Sequence, residues 1–167
     1  RGPGSFTGVR VGVGVAQGLA FGAELKVVPI SNLTTMAEQA YQELGATEVI
    51  ALIDARMNEV YFSQLIRTEN GWMEKVKEQV CSPECALEQF QLDDEKITVV
   101  GTGWVAYPQF AEQNLPLVIS EITLPSAKYM LALAEQEIEK GNVKSVDEIE
   151  PVYLRNEVTW KKLPHKQ

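Results

Sequence analysis

Few side chains in this sequence could do chemistry. Asp54 ends the apolar run Val49 to Ile53, and a carboxylate in that place can hold a metal where other acids converge on it. Glu59, Glu78 and the group Asp93 to Glu95 are the available companions. Their places along the predicted strands do not converge, so Asp54 is expected to cap a turn. Cys81 and Cys85 are spaced like half of a zinc site, but zinc needs four ligands and the one histidine, His165, lies in the tail. Cys85 falls in the first turn of a predicted helix, which favours a thiolate, yet no imidazole base stands near it in sequence. There is no Gly-x-Ser-x-Gly elbow of a serine hydrolase.

Glycine patterning is the stronger signal. Gly2-Pro3-Gly4-Ser5-Phe6-Thr7-Gly8 leads into the apolar stretch Val9 to Gly22. Backbone N–H groups of such a turn can cradle a phosphate at a helix N-terminus, with Gly2, Gly4 and Ser5 as contacts. The turn lacks the lysine of a P-loop and does not fit the dinucleotide fingerprint. The alternative is a tight turn that lets the helix pack closely. Gly101-Thr102-Gly103 is a second, weaker candidate, either approaching a nucleotide or joining a strand to a helix. Within the first helix Gly14, Gly18 and Gly22 recur every fourth residue, with Gln17 beside them. Each glycine costs about 1 kcal/mol of helix propensity, so another backbone is expected to come close. That backbone is either the chain's own sheet or a helix of a partner.

The elements that must position these residues follow from periodicity. Ser5 or Thr7 caps a helix to about Phe21 or Gly22, and Lys26 to Ile30 is a β-branched strand. Ser31 or Asn32 caps a second helix through Leu44, ended by Gly45. Glu48 to Ala55, Asn58 to Thr68 and Trp72 to Val80 form an antiparallel meander, with Asn70-Gly71 as a hairpin signal. Ser82-Pro83 starts a helix to about Phe90. Then come a strand at Lys96 to Gly101, a short helix near Trp104 to Gln113 and a strand at Leu117 to Ser120. A last helix from Ser126 to Gly141 carries the apolar stripe Ala127, Met130, Leu131, Ala134 and Ile138.

This order is that of an α/β ribonuclease-H-like lobe, paired in actin and the Hsp70 chaperones. Residues 1–45 then read as the remnant of a first lobe truncated at its N-terminus, and 46–143 as the second lobe. Residues 144–167 read as a tail packing back on the first. Losing core neighbours should leave apolar surface that drives the chains to associate.

The chain has 15 basic and 23 acidic residues, a net charge of -8 and a pI near 4.8. That opposes autonomous nucleic-acid binding, although Lys161, Lys162 and Lys166 make a small basic tail. No apolar run is long enough to span a bilayer, no signal peptide is recognisable, and a cytoplasmic location is expected.

Gly2 to Arg10, Ala16-Gln17-Gly18-Leu19-Ala20, Asp54 to Tyr61, Gly101 to Trp104 and Pro151 to Arg155 together closely resemble the TsaB (YeaZ) family. The resemblance runs in order over essentially the whole chain and implies about 60 further residues ahead of Arg1. It also implies a subunit of the bacterial machinery that makes threonylcarbamoyladenosine beside the anticodon of tRNA. In that family the transfer belongs to the paralogue TsaD, which the ATPase TsaE joins. ATP and metal sit in those partners, tRNA is met only within the complex, and the subunit alone forms a homodimer. The paralogue carries a His-x-x-x-His metal pair at a helix start. Alignment on Pro29 puts Asn32 and Met36 at those positions, and neither replaces an imidazole. The expected role is a scaffold with no catalytic residue and no metal, and Gly14, Gln17, Gly18 and Gly22 on the partner face. The alternative is a stand-alone peptidase or a nucleotide-dependent enzyme of the actin-like ATPase class.

Overall fold

The computed structural model describes residues 1–92 and 96–155. Asp93 to Glu95, His165 and the basic residues Lys161, Lys162 and Lys166 lie outside the described residues.

Helix α1 spans Phe6–Gly22 and starts on Ser5, whose hydroxyl accepts from the Gly8 N–H at 3.2 Å. Helix α2, Asn32–Leu44, starts on Ser31, which accepts from the N–H groups of Leu33 and Thr34. Gly45 ends α2 in the left-handed conformation, with φ of 69°. The meander follows as β1 (Glu48–Arg56), β2 (Glu59–Thr68) and β3 (Gly71–Cys81). Helix α3 (Pro83–Glu88) leads to β4 (Ile97–Val100), short helices α4 (Gly103–Ala106) and α5 (Gln109–Glu112), β5 (Leu117–Ile119) and helix α6 (Met130–Glu139). The strands form one sheet in the order β3-β2-β1-β4-β5. β1 is antiparallel to β2 and parallel to β4, and β4 is parallel to β5. β2 therefore runs against the other four strands, as in a ribonuclease-H-like lobe.

Both faces of the sheet are covered. Val49, Ala51 and Leu65 pack with Leu33, Met36, Ala37 and Ala40 of α2. Ile50, Leu52, Val60 and Phe62 pack on the opposite side with Ala86 and Phe110. Irregular pairing between Phe62 and Leu65 lets Ser63, Gln64 and Leu65 all be buried in succession, which simple alternation along β2 does not anticipate. Buried ions also brace the two faces, Glu38 on the α2 side and Glu48 on the other. Glu38, 2% exposed, accepts from Arg67 at 2.6 Å and from the Trp72 indole at 2.8 Å. Glu48 pairs with Lys75 at 2.7 Å.

Three expectations about elements need correction. Lys26 to Ile30 is not a strand: its β pairing is a single antiparallel bridge from Val27 to Lys144, and a lone bridge does not make a ladder. The helix expected over Trp104 to Gln113 is two. Tyr107 stands before Pro108 and is extended, at φ -127° and ψ 104°, because proline pushes its predecessor out of the α region. The helix expected from Ser126 opens as a 3-10 turn, Ala127–Tyr129, and buries Tyr129 and Leu133. Leu131 and Ile138 of the expected stripe are 68% and 55% exposed, because the inward row starts from Tyr129.

The segment from Lys144 to Arg155 folds back. Lys144 exchanges backbone hydrogen bonds with Val27, both at 2.9 Å, and the Val152 N–H donates to the Arg1 carbonyl. Among the described residues no helix is long and apolar enough to cross a membrane.

Candidate functional site

Two features stand out, a cleft and a bare helix. The cleft, about 960 Å³, lies between α1 and the carboxyl end of β1. Gly2, Gly4, Ser5, Val9, Asp54 and Thr102 are among its lining residues. Asp54 sits where β1 leaves the sheet, and its carboxylate is already engaged. It accepts from the Arg56 N–H and the Tyr107 hydroxyl, both at 2.8 Å, and meets the Arg56 guanidinium at 3.1 Å. Its own N–H donates to Thr102 Oγ1. Burial, then the bond to the Asp54 carboxylate, pushes the Tyr107 phenol above its ordinary pKa. Glu59 is held by Arg155, whose Nε donates at 2.9 Å and whose Nη2 also reaches the Ala55 carbonyl. Glu78 is held by Arg1 at 3.0 Å and by the Ser31 hydroxyl. Each acid thus has its own partner, and among the described residues no group of His, Cys, Asp and Glu could hold a metal ion. Asp54 acts as the turn cap expected of it.

The turn it caps carries three successive left-handed residues, Arg56, Met57 and Asn58, at φ 63°, 57° and 58°. Sequence reading missed this. The Met-Asn pair gives little of the Asn-Gly signal for such a hairpin.

The positions of the paralogue's histidine pair do not fit a metal. The Asn32 amide donates to the Pro3 carbonyl at 2.9 Å. Met36 is fully buried in the α2 core. The second glycine turn serves the fold. Gly101 has φ of 99°, and a Cβ there would meet the Leu52 carbonyl oxygen at 2.0 Å. At Gly103 a Cβ would meet Leu52 Cβ at 2.9 Å. Both glycines admit the β1 backbone. Gly2 and Gly4 border the cleft instead, with Val9 as their close neighbour. The Cys81 thiol is pushed up to about 12, chiefly by burial and then by Cys85 and Glu59, so it is a poor nucleophile.

Helix α1 is different. Its inward row is Val9, Val13, Gln17 and Ala20. The Gln17 amide donates to the carbonyls of Val146 and Ile149 at 3.0 and 2.9 Å. The outward row, Val11, Val15 and Leu19, is 59%, 57% and 71% exposed. Between the two rows run Gly14, Gly18 and Gly22, and a Cβ at any of them would meet nothing within 4 Å. Of the two backbones the glycines could admit, the chain's own sheet is not there among the described residues.

Comparison with known proteins gives a consistent answer. The family model "TsaD: tRNA N6-adenosine threonylcarbamoyltransferase" matches residues 1–163. The "tRNA threonylcarbamoyladenosine biosynthesis protein TsaB" of Haemophilus influenzae is 58% identical, over the whole chain and 72% of the relative. Its counterpart in Escherichia coli is 50% identical, over the whole chain and 73% of the relative. Among solved structures, YeaZ from Pseudomonas aeruginosa superposes with a TM-score of 0.81 at 36% identity, over 91% of this chain and 71% of that one. Another from that organism, described as similar to peptidase YEAZ, superposes at 0.82 over 92% of this chain and 70% of that one, again at 36% identity. The fold is the actin/Hsp70-like α/β fold expected from the sequence. The chain belongs to the TsaB (YeaZ) family of tRNA threonylcarbamoyladenosine biosynthesis proteins, within the reach of the TsaD family model.

Proposed function

We propose that this chain is a non-catalytic pairing subunit for threonylcarbamoyl transfer to the adenosine beside the tRNA anticodon. It docks through α1 on the catalytic paralogue TsaD, and the ATPase TsaE joins the pair. The observation that carries this is the bare face of α1. A soluble protein rarely leaves a contiguous apolar helix face open unless something covers it. A row of glycines beside that face removes the side chains that would hold a second helix away. The engaged state of Asp54, Glu59 and Glu78 and the unsuitable donors at Asn32 and Met36 support a role without chemistry of its own. On this reading ATP and metal belong to the partner subunits, tRNA is met in the complex, and the site of action is the cytoplasm. Alone, the same face pairs with a second copy.

The test is reconstitution. TsaD, TsaE, threonylcarbamoyl-adenylate and tRNA are combined with this protein or with its Gly18→Leu variant, and modified adenosine is counted. The parent should support turnover and the variant should not, with both equally folded by circular dichroism. Full activity with the variant, or turnover by this chain alone on ATP and a divalent metal, would remove the scaffold reading.

A further inference from the structure

The chain has five arginines. Four of them pair with an acid of the same chain: Arg1 with Glu78, Arg56 with Asp54, Arg67 with Glu38 and Arg155 with Glu59. Arg10 does not. It is the one charged side chain of α1, and among the described residues no carboxylate meets it. In a chain with 23 acids and a net charge of -8, an arginine left without one is unusual.

Arg10 is nevertheless held in place. Its guanidinium carbon lies 3.8 Å from the Phe6 ring centroid and 5.4 Å from that of Tyr153. Its Nε donates to the Tyr153 hydroxyl at 2.6 Å. The two rings are 5.6 Å apart and are themselves open to solvent, Phe6 at 58% and Tyr153 at 41%. Stacking orients the fork, and among the described residues its terminal N–H groups meet no acceptor, which is the arrangement that suits bidentate capture of a planar anion. The long side chain therefore loses little further entropy on binding.

Its position gives it meaning. At four-residue spacing Phe6, Arg10, Gly14, Gly18 and Gly22 form one row along α1. The glycine groove thus ends in the Phe6–Arg10–Tyr153 clamp, beside the exposed Val11–Val15–Leu19 row. A polar group at the rim of an apolar patch is the usual anatomy of a protein–protein interface. We propose that Arg10 is the charged anchor of the α1 face, held by Phe6 and Tyr153 to receive a carboxylate of the catalytic paralogue's docking helix. This rests on the pairing reading above. A tRNA phosphate would suit the same fork. The continuity with an apolar groove and the acidic balance of the chain favour a protein acid.

The experiment is calorimetric titration of the catalytic paralogue with the parent, Arg10→Ala, Arg10→Lys, Arg10→Glu and Gly14→Leu. Each is measured at low and at physiological salt, with melting temperatures as a folding control. Arg10→Ala should weaken pairing about tenfold or more, and Arg10→Glu about a hundredfold or more, because closure desolvates the fork beside the two rings. Arg10→Lys should fall between parent and Arg10→Ala, since it keeps the charge but loses the planar fork. The gap between parent and Arg10→Ala should narrow as salt rises, which a packing role would not produce. If both Arg10→Ala and Arg10→Glu bind within about twofold of the parent while Gly14→Leu does not bind, the anchor is wrong and the pairing face stands. If Gly14→Leu also binds like the parent, the pairing reading itself is wrong. If Arg10→Glu spares pairing and instead abolishes a salt-sensitive affinity for tRNA, the fork serves a phosphate and the proposal falls.

Discussion

Two glycine-to-alanine changes should move stability in opposite directions. At Gly101 the added methyl would stand 2.0 Å from the Leu52 carbonyl oxygen and 2.8 Å from its carbon. Both are backbone atoms of the central strand, so neither can swing away. The residue also has φ of 99°, where an L side chain costs about 1–2 kcal/mol. Relief of the clash requires β1 and the turn after β4 to separate, and overpacking of that kind costs about 1–3 kcal/mol more. The sum, about 2–5 kcal/mol, is a large part of the 5–15 kcal/mol typical of a domain. It corresponds to a fall in melting temperature of about 10 °C for a chain of this size. Gly14→Ala, measured at a dilution where the chain is monomeric, is the mirror case. Nothing lies within 4 Å of its Cβ position, and alanine in an exposed helix interior gains about 0.5–1 kcal/mol. Urea unfolding followed by circular dichroism measures both. A Gly101→Ala variant within about 1 kcal/mol of the parent would show that the turn is not wedged against Leu52. The glycine would then be free to serve a ligand. A destabilised Gly14→Ala would mean that α1 packs on something in the isolated chain.

Other consequences are simpler to state. Glu38→Ala should cost about 3–5 kcal/mol in the same denaturation assay, because it strands Arg67 and the Trp72 indole beside a buried gap; a loss below about 1 kcal/mol would make the pair incidental. Met57→Asn should raise stability by about 0.5–1 kcal/mol, since asparagine tolerates the left-handed conformation better than methionine; a loss would mean that the Met57 side chain has packing worth more than the strain. Cys81 is pushed up to about 12 by burial first, so its thiol stays protonated at pH 8. Iodoacetamide at that pH should label it far more slowly than a free thiol in peptide mass mapping, and the rate should climb as pH is raised towards that value. Equal rates for Cys81 and an unfolded control peptide would contradict the burial argument.

What the sequence made legible was local. Of the paired candidates Ser5 or Thr7 and Ser31 or Asn32, the serines cap their helices, as Ser82 caps its own, and Asn70-Gly71 sits at the β2–β3 connection, because these signals act through neighbouring backbone. The antiparallel pairing of β1, β2 and β3 followed from the succession of elements. What stayed hidden depends on residues far apart. Lys26 to Ile30 has strand composition but needs a neighbouring strand laddered along it to be a strand, and it has one bridge. Leu131 and Ile138 have helical spacing, yet which row turns inward is decided by Tyr129 and Leu133 against α2. The lone status of Arg10 appears only once the other arginines find their acids, with Arg155 and Glu59 meeting across 96 residues. For the α1 glycines, the sequence allowed a sheet or a partner, and the open space beside them leaves a partner as the favoured reading.

The most direct test of that reading is hydrogen exchange on this protein, dilute enough to be monomeric when free, with and without the catalytic paralogue. The account predicts slowed exchange in the peptides covering Phe6–Gly22, with the buried strands β1 and β4 unchanged. Slowed exchange elsewhere while Phe6–Gly22 exchanges as fast as in the free protein would contradict it.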